Sequence, residues 1–234
     1  MTELSKYKYK YDLHVHTSPV SPCGDFSPEE VVDKYIELGY HGIVLTNHLQ
    51  PHLVDKFETG EDFIAHFLSD FYRGKEYGDK KGFDVILGIE IRFPENNNDY
   101  LIYGVHESDI YKAIQYIHTD YATFYKNFKT EKNLIIQAHP FRKGCSLQDT
   151  NILDGIEVFN LHPGHNSPLG FAAKVAFDNP HLLKTGGTDF HHEAHQGMCS
   201  TVFSERIEDS YMLSNALKSK DYILDIWGNK VIPH

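Results

Sequence analysis

Histidine stands out among the residue types that could do chemistry in this chain of 234 residues. There are 16 histidines, against one tryptophan and three methionines. Imidazole is the commonest protein ligand for transition metals. The composition therefore suggests a divalent-cation site, although some of these histidines must be ordinary core or surface residues.

The segment Asp12-Leu13-His14-Val15-His16 carries the first pair of candidate ligands. Side chains alternate along a strand, so His14 and His16 would lie on one face and could bind one ion together. A His-x-His pair alone is a weak signal in a histidine-rich chain. Its weight depends on whether other ligand-type residues come close to it.

Glu90 lies within an otherwise apolar predicted strand. A carboxylate is costly to bury without a partner. Arg92 could supply an ion pair, but a carboxylate has two oxygens and can contact two cations at once. We favour Glu90 as a bridging metal ligand.

Two further motifs follow predicted strands, Ala138-His139-Pro140 and Gly187-Thr188-Asp189-Phe190-His191. Each could separately be a hydrogen-bonded loop. Nitrogen and oxygen ligands without dominant thiolates suit zinc, manganese or iron better than a structural zinc finger.

Hydrophobic periodicity predicts alternating strands and helices around these motifs. The predicted strands cover residues 9–16, 42–48, 84–93, 100–106, 133–139, 155–160, 182–186 and 222–227. The predicted helices cover residues 27–39, 61–80, 108–129, 169–177 and 210–217. A turn at residues 94–99 would join the third and fourth strands. Such alternation indicates an α/β fold with a mostly parallel sheet, and about seven units favour a barrel related to the (βα)8 type.

The candidate ligands share one position in this scheme, at or just past the C-terminal end of a predicted strand. They are His14, His16, His48, Glu90, His106, His139, Asp189 and His191. In a barrel these strand ends converge on one face, where the active site is built. Residues far apart in sequence would thereby become neighbours.

An ordered series of motifs now points to a known family. The motifs are Asp12-Leu13-His14-Val15-His16-Thr17, Thr46-Asn47-His48, Gly88-Ile89-Glu90, Gly104-Val105-His106, Ala138-His139-Pro140 and Gly187-Thr188-Asp189-Phe190-His191. From about residue 9 to 192 the chain resembles the PHP (polymerase and histidinol phosphatase) family. The resemblance implies a distorted seven-stranded (βα)7 TIM-like barrel with a phosphoesterase site of up to three metals.

The resemblance also implies a distribution of ligands over the metals, with Glu90 bridging the first two. His14, His16, Glu90 and Asp189 would hold the first ion. Glu90, His106 and His139 would hold the second. His48 and His191 would belong to a third.

Cys23 marks a departure from the family pattern. In phosphatase members a histidine after the first motif completes the third site, whereas here the matching stretch is Ser21-Pro22-Cys23-Gly24-Asp25. Cysteine can bind zinc or iron as thiolate, and Asp25 is a nearby alternative. We therefore expect two or three divalent ions (zinc, manganese or iron). Asn47, where an acidic residue is common in the family, could alter the support of His48.

Two arginines are candidate phosphate ligands. Arg142 follows His139 by three residues, and we predict that it neutralises the phosphate during catalysis. Arg92 is the second choice for substrate binding. For both, an ion-paired or solvated surface arginine is the alternative, and for Arg92 that alternative is about as good.

Four other histidines would line the rim of the site: His162, His165, His192 and His195. One of them could act as general acid or contact the substrate. For each one singly, an ordinary surface histidine is the better interpretation.

Composition limits the partners and the location. A formal net charge of −11 argues against a nucleic acid bound over a broad face, while bound metals could still attract a small anion. We expect a cytoplasmic, single-domain protein over residues 1–234, because the chain has no signal-peptide pattern, no apolar run of membrane-spanning length, and an odd count of three separated cysteines. The oligomeric state stays open.

These observations favour hydrolysis of a small phosphomonoester or nucleotide by a metal-activated hydroxide. A 3′–5′ exonuclease is the first alternative, against which the acidic charge counts. A non-catalytic metal-binding domain is the second. Hydrolysis of C–N bonds is more distant.

Overall fold

The computed structural model describes residues 3–234, in which strands and helices alternate over most of the chain. The strands are β1 (Tyr9–Val15), β2 (Gly42–Leu45), β3 (His48–Leu49), β4 (Asp84–Leu87), β5 (Ile89–Arg92), β6 (Asp99–Tyr103), β7 (Leu134–Gln137), β8 (Gly155–Asn160), β9 (Leu183–Gly187), β10 (Cys199–Phe203), β11 (Tyr222–Ile226) and β12 (Asn229–Val231). The helices are α1 (Pro28–Glu37), α2 (Pro51–Val54), α3 (Gly60–Lys81), α4 (Glu107–Ile114), α5 (Tyr121–Phe128), α6 (Leu169–Asp178) and α7 (Ser210–Ser219). The predicted α/β class is confirmed.

Two six-stranded sheets contain all of these strands. The first has the order β12-β11-β10-β1-β2-β4, and the second has the order β3-β5-β6-β7-β8-β9. The predicted seven-stranded barrel is therefore not closed by a continuous hydrogen-bonded ladder within residues 3–234. Apolar side chains from both sheets, among them Tyr11, Leu101 and Ile136, form a shared core.

The two sheets separate where two of the predicted strands are interrupted. Residues 42–48 divide into β2 and β3, and residues 84–93 divide into β4 and β5, so each segment passes from one sheet to the other. Gly88 allows this close approach, since a Cβ there would lie 2.8 Å from Cγ1 of Val44. Bends of this kind let a strand leave one sheet and join another.

The sheets also meet through a short parallel contact between β1 and the segment after β9. Val15 and Phe190 form an isolated bridge. The Phe190 carbonyl accepts from the His16 amide at 3.1 Å, and the Phe190 amide donates to the His14 carbonyl at 3.2 Å. This junction brings residues separated by most of the chain side by side.

Strand β6 runs antiparallel to both of its neighbours, with Arg92 opposite Asp99 and Tyr100 opposite Gln137. The predicted mostly parallel order is wrong here. A connection as short as residues 94–99 permits only antiparallel pairing, because a parallel pair needs a crossover of a dozen or more residues.

Other predicted elements differ in smaller ways. Helix α1 begins with the predicted capping box, in which the Ser27 side chain and Glu30 bond each other's backbone amides. The predicted helix at 108–129 is two helices, because Asp120 accepts from the Thr123 amide and starts α5 anew. Strands β10 and β12 were not predicted. None of the helices within residues 3–234 has the length and apolar character required to cross a bilayer.

Candidate metal centre

The ends of β1 and β9 place the first four ligand-type side chains. His14 and His16 flank Val15, while Asp189 and His191 flank Phe190. Candidate ligands therefore border the bridge between the sheets on both of its segments. These residues are buried or nearly so.

Asp12 holds this junction in place. Its carboxylate accepts from the backbone amides of His14 and Thr188, both at 3.1 Å, and from the Tyr35 hydroxyl at 2.8 Å. It therefore ties the start of the first motif to the start of the last.

The first cluster consists of His14, His16 and Glu90, with Asp189 beside them. His14 Nε2 lies 3.2 Å from Glu90 Oε1 and 3.3 Å from Asp189 Oδ1. His16 Nε2 lies 3.4 Å from Glu90 Oε2 and 3.3 Å from the same Asp189 oxygen. The four residues predicted to hold the first ion come together.

The ring nitrogens of this cluster supply a test of whether a cation fits. His14 Nε2 and His16 Nε2 are fully buried and have no hydrogen-bond partner within residues 3–234, although three carboxylate oxygens are nearby. Buried polar atoms are nearly always satisfied. Ligands that share one ion approach one another in this way without forming hydrogen bonds. The arrangement of these residues therefore fits a bound metal.

The second cluster consists of Glu90, Asp99 and His139. His139 Nε2 lies 3.2 Å from Glu90 Oε1 and 3.7 Å from Asp99 Oδ2. Asp99 did not emerge from the sequence analysis. The signal that could have found it was the short turn before β6, which forces this strand to begin, not end, at the site.

His106 does not join the second cluster, and its predicted role as a ligand is corrected accordingly. It is exposed, it caps the start of α4, and its ring packs edge-on against Tyr211. The physical reason is again the direction of β6, whose C-terminal end lies away from the ligands. Asp99, at its N-terminal end, takes the place that was expected for His106.

The third cluster consists of His16, His48 and His191, with the rings of His48 and His191 each centred 4.3 Å from that of His16. Cys23 is a free, exposed cysteine that lines the same cavity as His48 and His191. Burial acts to raise the pKa of its thiol, but the neighbouring imidazoles of His191 and His48 lower it to about 6. The geometry thus places Cys23 beside the cluster it was predicted to complete.

The sequence profile of the PHP domain matches residues 12–152. That stretch covers more than half of the chain and contains every residue of the first two clusters except Asp189. The chain belongs to the PHP domain family.

Three solved structures share the fold of this PHP domain. A two-domain protein from Bacteroides vulgatus, described as containing a predicted PHP-like metal-dependent phosphoesterase, has a TM-score of 0.66 at 18% identity. The alignment covers 94% of this chain but 65% of that protein, so this chain spans less than two thirds of its length. A search of curated proteins gave no significant match.

The other two structures are covered more completely. An inferred metal-dependent phosphoesterase from Bifidobacterium adolescentis has a TM-score of 0.53 at 15% identity, over 89% of this chain and 95% of that one. PsfC from Pseudomonas syringae has a TM-score of 0.63 at 14% identity, over 89% and 87%. At identities of 14–18%, these likenesses establish a common fold.

Glu157 supports the PHP site from behind, and the sequence analysis missed it. Its Oε1 lies 2.9 Å from His14 Nδ1, while its Oε2 accepts from the His139 amide at 3.0 Å and from Asn160 Nδ2 at 2.9 Å. A carboxylate on the far nitrogen of a ligating imidazole fixes the ring and its tautomer. Like Glu90, it interrupts an apolar strand, which was the available signal.

Both predicted phosphate-binding arginines reach the PHP site, and both are ion-paired there. Arg142 Nη2 lies 2.5 Å from Asp189 Oδ2 and donates to Asn160 Oδ1 at 2.7 Å. Arg92 makes a two-pronged pair with Asp99, at 2.7 and 2.5 Å. Each arginine therefore contacts a carboxylate of the candidate ligand set.

The charges in the centre stabilise one another. Burial opposes a charge on His14 most strongly, yet the carboxylates of Asp189, Glu157 and Glu90 together hold its pKa well above the ordinary value. Burial likewise acts to raise the pKa of Glu90, but His14 and His48 hold it well below. The Glu90 carboxylate thus stays ionised, which is the form that binds cations.

Two ligand-type residues have backbone conformations that side chains disfavour. His139 has φ = 30° and Asp189 has φ = 55°. Non-glycine residues with positive φ are uncommon and cost free energy, and they cluster at functional sites. The positive φ changes the direction of these two side chains, which lie at the ends of their strands.

An open cleft of about 530 Å³ lies over these residues. Its walls include the second cluster, His48 and His191 of the third, both arginines, Lys56 and three rim histidines, His162, His165 and His192. Clefts of some hundreds of Å³ accept small organic ligands.

Proposed function

We propose that this PHP domain is a metal-dependent phosphatase that hydrolyses a small phosphomonoester or nucleotide. One observation carries the proposal. Eight ligand-type residues from distant parts of the chain (five histidines, Glu90, Asp99 and Asp189) converge under one cleft, with two buried imidazole nitrogens left without partners within residues 3–234.

Three positions would hold divalent ions. His14, His16, Glu90 and Asp189 would hold the first ion, and Glu90, Asp99 and His139 would hold the second. His48 and His191, together with Cys23 and next to His16, would hold the third. Such ions acidify a water molecule and neutralise phosphate oxygens. We propose zinc, manganese or iron, because nitrogen and oxygen donors of this kind suit all three.

The chain's own residues would bind and orient the ester. Arg142 and Arg92 lie in the cleft wall. Arg142 binds Oδ2 of Asp189, the oxygen that does not face His14 and His16, and Arg92 binds both oxygens of Asp99. Their guanidinium groups reduce the negative charge that an incoming phosphate would meet. Arg142 also keeps a buried Nε without a hydrogen-bond partner within residues 3–234.

A small substrate is favoured by the shape and charge of the site. The cleft volume of about 530 Å³ suits a molecule of nucleotide size. A long nucleic acid would need many lysine and arginine contacts along its backbone, and the chain carries a net charge of −11.

The proposal is tested by assaying p-nitrophenyl phosphate, a mononucleotide and single-stranded DNA in parallel, after chelation and with manganese, zinc or iron added back. We expect metal-dependent turnover of the monoesters and little cleavage of DNA. DNA cleavage without monoester turnover would instead indicate a nuclease. Metal binding with no turnover of any of the three would indicate a non-catalytic domain.

A further inference from the structure

His162 is a buried cleft residue that none of the three ligand clusters uses. It lies in the segment Asn160-Leu161-His162-Pro163-Gly164-His165, directly after β8. Its ring is centred 5.4 Å from that of His191 in the third cluster. It therefore faces the same space as the candidate ligands without belonging to them.

A backbone hydrogen bond fixes the tautomer of this ring. The Gly164 amide donates to His162 Nδ1 at 3.0 Å. A nitrogen that accepts cannot carry a proton, so the ring proton must be on Nε2. Within residues 3–234 the ring's hydrogen bonds involve Nδ1 alone, which leaves Nε2–H as a donor for whatever enters the cleft.

The loop is also built to hold the ring in one orientation. A Cβ on Gly164 would lie 3.0 Å from Cε1 of His162 and 3.3 Å from its Nδ1, so only glycine permits this contact without displacement. The rings of His165 and His195 close the other sides, centred 4.4 and 4.6 Å away. A donor held by this much packing is preorganised for a ligand.

The same segment is bonded to the metal centre. The His162 amide donates to Asn160 Oδ1 at 3.3 Å, and that oxygen also accepts from Arg142 at 2.7 Å. Asn160 Nδ2 in turn donates to Glu157 at 2.9 Å. The position of His162 is thus tied to the arginine and carboxylates around the cleft.

We propose that His162 is a phosphate-binding residue whose Nε2–H donates a hydrogen bond to an oxygen of the phosphate group in the cleft. The inference rests on the proposed phosphatase function for the identity of the ligand. A neutral imidazole donor suits this position, because it binds an anionic oxygen without adding a charge next to the candidate cations.

Two substitutions separate the two ring nitrogens. His162→Asn keeps an acceptor near Nδ1 but loses the donor at Nε2, whereas His162→Gln can place an amide donor near Nε2. We expect the Kd of the full-length, manganese-loaded protein for inorganic phosphate, measured by calorimetry, to rise about ten- to a hundredfold in His162→Asn. In His162→Gln the rise should be smaller. His118→Gln, an exposed histidine paired with Asp55, is the matched control and should bind as the wild type does.

Gly164→Ala tests the positioning of the ring. The new methyl group should displace His162 and weaken phosphate binding, yet add nothing further in the His162→Asn background, because both changes act on one donor. A long-range ¹⁵N–¹H spectrum of the wild type should show the Nε2–H tautomer of His162.

The outcomes are distinct. Unchanged phosphate affinity in His162→Asn overturns the inference, and so does the loss of a metal equivalent from that variant, which would make His162 a ligand. A wild type that hydrolyses no phosphate ester but shows the expected loss in His162→Asn would refute the proposed function and leave the inference standing.

Discussion

Glu90 connects all three candidate clusters through its two oxygens. Oε1 lies 3.2 Å from both His14 and His139, and Oε2 lies 2.7 Å from Nδ1 of His48. The sequence could identify this residue because a lone carboxylate in an apolar strand requires a partner. Its two-sided contacts agree with the predicted bridging role, which metal analysis can test.

Replacing Glu90 by Gln should therefore lower the metal content and reduce phosphatase activity by at least about a hundredfold, since a neutral amide cannot neutralise two cations. Elemental analysis and turnover of p-nitrophenyl phosphate measure both effects, and far-UV circular dichroism should show an intact fold. Full metal content with full turnover would mean that Glu90 is not a bridge.

Cys23 is the residue that distinguishes this third cluster from the family pattern. Cys23→Ser should reduce metal content at the third position while the other two are kept, because a serine hydroxyl is a far weaker ligand than a thiolate. Cys145→Ser, a half-buried thiol whose sulfur lies 4.0 Å from Nδ1 of His139 in the second cluster, is the control and should keep its metal at the third position. Metal stoichiometry in Cys23→Ser equal to that of the wild type would remove Cys23 from the ligand set.

At the scale of elements, the reversed strand β6 decides which residue completes the second cluster. Its first residue, Asp99, lies opposite Arg92 at the end of β5 and is buried, while His106 lies beyond its other end and is exposed. Motif spacing alone assigned the ligand to the wrong end of this strand.

A pair of substitutions tests this assignment. Asp99→Asn should weaken metal binding at the second position and lower turnover, because it removes the charge that complements the cation and Arg92. His106→Gln should change neither, since this exposed residue caps α4 and packs against Tyr211, away from the candidate ligands. Metal titration of both proteins is the measurement, and the reverse ranking would restore His106 as a ligand.

Glycine packing beside β1 leads to a second prediction at this scale. A Cβ on Gly187 would lie 2.5 Å from Cβ of His14 and 2.8 Å from Oε1 of Glu157. Gly187→Ala should lower stability by about 1–3 kcal/mol and reduce metal affinity. Gly170→Ala in α6 meets nothing within 4 Å and should be neutral or slightly stabilising. Denaturant unfolding with metal titration compares the two; equal stability would contradict the close packing.

Strand ends were predictable from sequence because local patterns define them. His14, His139 and Asp189 each follow a β-rich run, and placing those ends on one face was enough to assemble most of the site. Strand direction and sheet membership were not predictable in this way, since pairing with distant segments determines them. Hence Asp99, the break at Gly88 and strand β10 were missed.

At the scale of the whole molecule, the candidate metal centre lies where the two sheets meet. His14 and His16 come from the first sheet, while Glu90 and His139 come from the second. An ion held by both would link the sheets directly, in addition to the isolated bridge between Val15 and Phe190.

Metal binding should therefore raise thermal stability. A metal that binds only the folded state contributes about 2.7 kcal/mol at a hundred times its Kd, which for a protein of this size corresponds to a rise in Tm of roughly 5–10 °C. Scanning calorimetry before and after chelation measures it, and Glu90→Gln should show a smaller shift. A Tm that is indifferent to metal would argue against a shared ion between the sheets.

The bridge between Val15 and Phe190 also has a consequence for biosynthesis. These two residues are 175 positions apart, so the first histidine pair leaves the ribosome long before its carboxylate partner exists. At roughly 5–20 residues per second, that delay lasts about ten seconds or more. A nascent chain thus carries exposed, half-formed chelating sites, and complete loading has to await the arrival of Asp189 and His191.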